Sequence, residues 1–305
     1  MHNELITIFT PTYNRAHLLP RLYDSLCRQT VSNFVWLIAD DGSKDNTKEL
    51  VEKWQQEDKI NISYYFKENG GMHTGHNLAI PNIKTELCTC IDSDDYLLDN
   101  SVETILTVFE KYNLYDNEGI GGIVGLNVSM QSNVIGASFP DYIQYGRYQD
   151  VSRKFRAFGD KKVVFKTKYL QELPLYPQFL GEKFVPLYHP IMIDEKRSFL
   201  CINENLCVVE YQEDGSTLNI FKQYLKNPQG FRHARGIEMI YYTSLKSKFK
   251  SSVHLISSNF ILKEFPLKGS PNYLLSLFTL PFGLFWYLYI ITRKEKLRDI
   301  SNYVK

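Results

Sequence analysis

Leu87-Cys88-Thr89-Cys90-Ile91-Asp92-Ser93-Asp94-Asp95 runs a short apolar strand, Leu87 to Ile91, directly into three carboxylates. Carboxylates this close repel one another unless a cation sits among them. A divalent metal is the natural neutraliser. Mg²⁺ and Mn²⁺ take oxygen ligands, and Mg²⁺ commonly rests on one or two protein carboxylates while phosphate oxygens complete its shell. The alternative is a polar loop in which Asp95 or Asp99 caps a helix starting near Asn100.

Upstream, the same arrangement of strand, polar end and helix recurs. Leu5 to Phe9 reads as a buried strand, followed by Thr10-Pro11-Thr12-Tyr13-Asn14-Arg15 and an apolar-periodic helix from about His17 to Arg28, with Pro20 in its first turn. Phe34 to Ala39 reads as a second strand, closed by Asp40-Asp41-Gly42-Ser43. In the next helix, Asn46 and Glu49 have capping-box spacing. A third strand, Ile62 to Phe66, leads through Lys67-Glu68-Asn69-Gly70-Gly71 into a helix that reaches Ile80. Paired glycines permit positive φ and a close backbone approach.

These motifs, in this order and each behind a predicted strand, resemble the family 2 glycosyltransferases over roughly the first 130 residues. The resemblance implies an α/β fold of GT-A (Rossmann-like) type: a mixed, mostly parallel sheet flanked by helices, with a helical C-terminal extension. It implies that Asp41 bonds a nucleobase, that Thr10, Pro11 and Tyr13 wall the base and ribose, and that Gly70 and Ser93 join the donor site. Asp92 would lie near ribose and metal, and Asp94 would ligate Mg²⁺ or Mn²⁺. For Asp40 and Asp41 the alternative is an Asx turn that orders the loop. Tyr13 has the alternative of a packing aromatic; His73 and His76 are candidates to touch diphosphate or sugar, with surface or capping histidines as the alternative.

Composition agrees with a globular enzyme. The chain has 305 residues, 44% hydrophobic, enough for one substantial core and an appendage. A net charge of +1 argues against nucleic acid as a partner. The five cysteines have no paired zinc-type spacing, and Cys88 and Cys90 share one face of their strand as expected core residues. Met1 to Phe9 has no secretory pattern, so a cytosolic catalytic domain is expected.

Inverting sugar transfer needs a group that takes the acceptor hydroxyl's proton. The segment Gly181-Glu182-Lys183-Phe184-Val185-Pro186 resembles a subgroup that continues with Glu-Asp, whereas this chain continues Leu187-Tyr188-His189. Glu182 and His189 are the candidate bases, with Asp194 behind them. Glu182 as a structural ion-pair partner, with activity altered or lost, is the alternative. Farther on, Tyr211-x-x-Asp214-Gly215-Ser216 resembles a loop that closes over the donor. Gln229-Gly230-Phe231-Arg232-His233 matches half of a processive-synthase signature, which leaves single-sugar addition as the expected mode.

Tyr273 to Ile291 carries no charge and approaches the roughly 20 residues that span a bilayer. Arg293, Lys294, Lys296 and Arg298 follow it. A true span would put this basic tail opposite the catalytic domain, and Pro281 and Gly283 are expected to break the helix midway. A monotopic or re-entrant anchor on the cytoplasmic face of the inner membrane is therefore expected. A helix packed on the catalytic domain, or on a second copy in a homodimer, is the alternative.

The expectation is a catalytic domain over residues 1–225 and a helical region over 226–305. The resemblance implies a hexosyl- or N-acetylhexosaminyl-transferase that uses a nucleotide diphosphate sugar, a UDP-sugar first. The acceptor would be a hydroxyl on a glycan or lipid-linked glycan in cell-surface polysaccharide assembly. A binding-only scaffold subunit and a nucleotidyltransferase are the other readings. The second lacks the expected basic phosphate loop near its N-terminus.

Overall fold

The computed structural model describes residues 4–142, 144–151, 154–210, 212 and 219–292. In chain order the first elements are β1 Ile6–Thr12, α1 Leu19–Cys27, β2 Phe34–Asp40, α2 Thr47–Glu57, β3 Asn61–Phe66, α3 Met72–Asn82, β4 Leu87–Cys90, β5 Tyr96–Leu97 and α4 Ser101–Lys111. Next come β6 Ile120–Val128, β7 Tyr145–Gly146, α5 Tyr148–Val151, β8 Lys161–Lys166, α6 Thr167–Gln171, α7 His189–Asp194 and β9 Ser198–Val208. Four helices close the described chain: α8 Ile220–Lys226, α9 Pro228–Tyr241, α10 Leu245–Leu262 and α11 Tyr273–Thr292.

The chain forms two compact units, Met1–Leu175 with Met192–Glu210, and Tyr176–Ile191 with Tyr211–Lys305. The boundary drawn at 225/226 from sequence therefore does not coincide with them. Residues 176–191 group with the C-terminal helices because the Glu182 carboxylate binds the N-terminus of α9.

The first unit holds one mixed sheet in the order β3-β2-β1-β4-β8-β6-β9-β5, with β7 on β9. Most of its ladders among the larger strands are parallel: β3, β2, β1 and β4 run side by side, and β6 pairs β9 in the same sense, while β8 runs antiparallel to both β4 and β6. Alternation divides the core between the two faces. Ile6, Ile8, Trp36 and Ile38 enter one cluster, while Phe9, Leu37 and Ala39 enter the other. On the first face the Tyr23 and Trp54 rings stack at 4.3 Å between centroids.

β1 is longer than its apolar run predicts and includes Thr10-Pro11-Thr12. A proline is tolerated in this central strand because Phe9 O accepts the last bond from β4, at Ile91 N, 3.0 Å away. Pro11 faces the same side two residues on, where the ladder has ended and no N–H is needed.

Three local expectations are corrected. Asn46 makes no side-chain cap on α2; Asp45 Oδ1 takes the Thr47 N–H at 3.2 Å and its hydroxyl at 2.6 Å instead. Neither Asp95 nor Asp99 caps α4, because Asp95 accepts from Glu210 N and Asp99 pairs with Arg28. Pro281 and Gly283 do not break α11, which is one helix of 20 residues. Pro281 lies on its exposed side, and a Cβ at Gly283 would stand 2.4 Å from Ile256, so this glycine is where α11 seats against α10.

Candidate donor site at the strand ends

In the parallel part of the sheet, β1 feeds β2 and β3 on one side, while β4 pairs on the other. Where strand order reverses, helices leave in opposite directions and open a crevice at the carboxyl ends of the strands, the usual ligand position in such sheets. The ends of β1, β2 and β4 carry Thr10-Pro11-Thr12, Asp40-Asp41 and Asp92-Ser93-Asp94-Asp95.

Asp41 is buried and holds the turn after β3. Its Oδ1 accepts from Lys67 Nζ at 2.6 Å, Gly70 N at 2.9 Å and Thr74 Oγ1 at 3.1 Å. Its Oδ2 accepts from Gly71 N at 2.6 Å and Asn69 Nδ2 at 3.0 Å. A carboxylate offers about four lone-pair sites, so these five donors fill it. The expected nucleobase contact thus meets a carboxylate already used by the chain. Gly70 is required here, since a Cβ would lie 2.8 Å from Thr74 Oγ1. Asp40 also orders its loop: Oδ1 takes Ser43 N at 2.8 Å, as an Asx-type turn predicts, and Oδ2 takes Tyr64 OH at 2.6 Å.

The carboxylates after β4 divide by exposure. Asp92 is exposed and Asp94 partly so, while Ser93 and Asp95 are buried. Asp94 Oδ2 lies 3.6 Å from Arg15 Nη1, and its carbonyl accepts from Arg21. Burial pushes Asp95 up to about 8, with Lys162 opposing and Asp92 and Asp94 adding to the rise.

Lys162 was missed by the sequence reading. β8 runs antiparallel to β4, which brings the Lys162 end of β8 to the carboxylates, and Nζ donates to Cys90 O at 3.1 Å. Burial works against its charge, but Cys207, Asp95, Asp160 and Asp92 outweigh it and hold the ammonium well above the usual range. The available signal was the lysine pair Lys161-Lys162 just before the apolar run Val163-Val164-Phe165. The cluster is therefore neutralised in part by the chain itself.

Asp92 and Asp94 offer two solvent-reaching carboxylates, the donor type that a hard divalent ion takes. Among the described residues no group of three or more His, Cys, Asp and Glu could hold a metal ion. Such a pair suits an ion that takes the rest of its shell from phosphate and water.

The remaining expected residues lie as follows. Thr10 is buried, and its hydroxyl accepts from Trp36 Nε1 at 3.0 Å, so it braces the sheet. Pro11 is buried against Gly75, whose added Cβ would come within 3.1 Å of the Pro11 ring. Tyr13 is 42% exposed, so it is not a core aromatic. His73 and His76 are buried, which corrects the surface reading of both. Burial drives His73 down to about 4, leaving a neutral ring at neutral pH. Its two nitrogens and the Thr12 hydroxyl are buried without a hydrogen-bond partner among the described residues, as polar groups on a ligand-binding wall often are.

The two candidate bases belong to the second unit, where each has a structural task. Glu182 accepts from Gln229 N and Gly230 N, both at 2.8 Å, and so caps α9. His189 is 2% exposed, its ring stacked on Tyr176 at 3.9 Å. Asp194, in the first unit, is buried and accepts from the Tyr148 and Gln149 N–H groups at the start of α5. The Tyr211 to Ser216 loop lies largely outside the described residues, as does the basic tail after Thr292. Glu182→Gln is expected to lower stability by about 1 kcal/mol, the usual loss of a helix cap, measured by urea unfolding. Unchanged stability with a large fall in turnover would return Glu182 to the role of base.

Residues 7–123 match the family described as Glycosyl transferase family 2. Over 103 residues the chain is 31% identical to Glycosyltransferase GlyG of Streptococcus pneumoniae serotype 4, covering 34% of each chain. The matched part thus spans about a third of the length of such curated relatives. In fold the chain is similar to S. aureus TarS 1-349 in complex with UDP-GlcNAc, with a TM-score of 0.57 and 16% identity, over 84% of this chain and 72% of that one. It is also similar to the mannosyltransferase PcManGT of Pyrobaculum calidifontis in complex with GDP-Man and Mn²⁺, with a TM-score of 0.53 and 15% identity, over 95% of this chain and 82% of that one. The likeness in sequence stops at β6 while the likeness in fold runs on: residues 7–123 match glycosyl transferase family 2, and the fold is of the GT-A type.

Proposed function

We propose that the chain is a glycosyltransferase that moves one sugar from a nucleotide diphosphate sugar, a UDP-sugar first, to a hydroxyl of a glycan or lipid-linked glycan. The observation that carries this reading is the outward Asp92 and Asp94 pair at the switch point, beside the Asp41-held turn. The nucleotide sugars bound by the two fold neighbours support the donor class.

Asp94, helped by Asp92, would hold Mg²⁺ or Mn²⁺, which supplies positive charge to the leaving diphosphate when bound. Arg15 pairs with Asp94 at 3.6 Å, and Lys162 opposes, without cancelling, the upward shift that burial gives Asp92 and Asp95. Thr12, Tyr13 and neutral His73 line the approach, and the Gly70-Gly71 turn lets backbone come close to the donor.

The exposed apolar side of α11 supports attachment to the cytoplasmic face of a membrane, where a lipid-linked acceptor and cell-surface polysaccharide assembly would be found. Leu274, Phe278 and Phe285 are each more than two-thirds exposed.

A binding-only subunit is the second reading, favoured by the capping role of Glu182 and the missing Glu-Asp pair. A thermal-stability panel of nucleotide sugars with and without Mn²⁺ tests donor class and metal together. A UDP-sugar is expected to stabilise only when Mn²⁺ is present, and slow release of free sugar separates a transferase from a binder. No stabilisation by any nucleotide sugar would overturn both readings.

A further inference from the structure

α11 is built inside out. Its inward side carries small residues, Ser276, Thr279 and Gly283, packed on Ser252 and Ile256 of α10. Its outward side carries Leu274, Leu277, Phe278, Phe285 and Leu288, all exposed. Small residues inward and large apolar residues outward are the pattern of helices packed within lipid.

Beside this helix, in the same unit, α8, α9, α10 and α11 enclose a cavity of about 410 Å³, a size that takes a small ligand. Its lining is rich in hydrogen-bond donors. Glu238 is the one carboxylate in that lining, and both of its oxygens are engaged, by Arg235 at 2.5 Å and by Ser251 at 2.6 Å. Arg235 Nε is buried with no partner among the described residues. Trp286 Nε1 donates to His254 Nδ1 at 3.2 Å, which places the imidazole proton on Nε2 as a further donor. Lys250 adds an exposed ammonium, and Phe221, Tyr224 and Trp286 supply aromatic walls.

We propose that this cavity binds the phosphate headgroup of an anionic glycerophospholipid whose acyl chains lie along the outward side of α11. The inference rests on the membrane attachment proposed above and adds a built headgroup site to it. The Arg235 guanidinium and Lys250 ammonium, with no uncommitted carboxylate in the lining, select an anion, and the adjoining apolar face selects an anion that carries hydrocarbon.

The test is flotation of the full chain with phosphatidylcholine vesicles and with vesicles containing phosphatidylglycerol, with the basic tail present in every variant. The wild type is expected to bind both and to prefer the second. Lys250→Gln is expected to lower partitioning into phosphatidylglycerol vesicles about fivefold or more and to leave phosphatidylcholine binding unchanged. Lys246→Gln, an exposed lysine outside the cavity, is expected to change partitioning less. Equal effects of the two substitutions, or no preference between vesicles, would overturn the headgroup site while membrane attachment stands. Flotation with neither vesicle would overturn both. Inorganic phosphate is expected to give little thermal stabilisation without vesicles. Stabilisation by phosphate equal to that by phosphatidylglycerol would assign the cavity to a free anion and overturn the lipid.

Discussion

Asp94→Asn is expected to raise the Kd for a nucleotide sugar in the presence of Mn²⁺ by about a hundredfold or more. Loss of a partner one shell out from a metal typically costs 10- to 100-fold, and a direct ligand costs at least as much. The motivating geometry is the partly exposed Asp94 carboxylate, next to exposed Asp92. The fold is expected to persist, because the backbone carbonyl that receives Arg21 is unchanged and the ion pair to Arg15, at 3.6 Å, is partly exposed. Asp95→Asn is expected to be milder, since an amide oxygen can still accept from Glu210 N. Calorimetric titration of both variants decides the matter. Small and equal effects at the two positions would remove the metal assignment.

The second large effect is expected at Asp41. Asp41→Asn leaves an amide where five donors converge, and Lys67 loses the carboxylate 2.6 Å from its ammonium. Breaking a buried charge pair from one side costs about 3–5 kcal/mol. At the size of the first unit, a loss near the low end of that range lowers Tm by roughly 6–12 °C. Nucleotide binding is expected to fall with it, because the Gly70-Gly71 turn is no longer held. The role implied by the family resemblance, a bond to the nucleobase, makes a different prediction: Tm within about a degree of wild type with selective loss of nucleotide affinity. Paired thermal-melt and binding measurements on one variant separate the two.

The sheet strands and the order of the strand-end motifs were legible along the chain. Hydrophobic runs of strand length, closed by Thr-Pro-Thr, Asp-Asp-Gly and Asp-Ser-Asp-Asp, announce themselves within a few residues. Caps were legible only by type. Asn46 stands at the start of α2, yet the neighbouring Asp45 makes the bonds, because loop geometry decides which of two adjacent side chains faces the free N–H groups. Glu182 was recognised as notable but not for its task, since its partners lie 47 and 48 residues away.

What the sequence by itself determined was therefore local: strand and helix positions, the carboxylate cluster, the apolar C-terminal helix and a family resemblance over roughly the first 130 residues. These follow from periodicity and from short motifs whose physics is complete within one turn or one strand. Tertiary structure alone decided which carboxylates are spent. It filled Asp41 with donors from the turn after β3, brought Lys162 on β8 to the Asp92 cluster, buried His73 and His76, and turned Glu182 into the cap of α9. Each outcome depends on an antiparallel return or a distant helix end arriving at a given side chain. A carboxylate's charge and hydrogen-bonding capacity are written in its residue type, but what satisfies them is set by what folding places beside it.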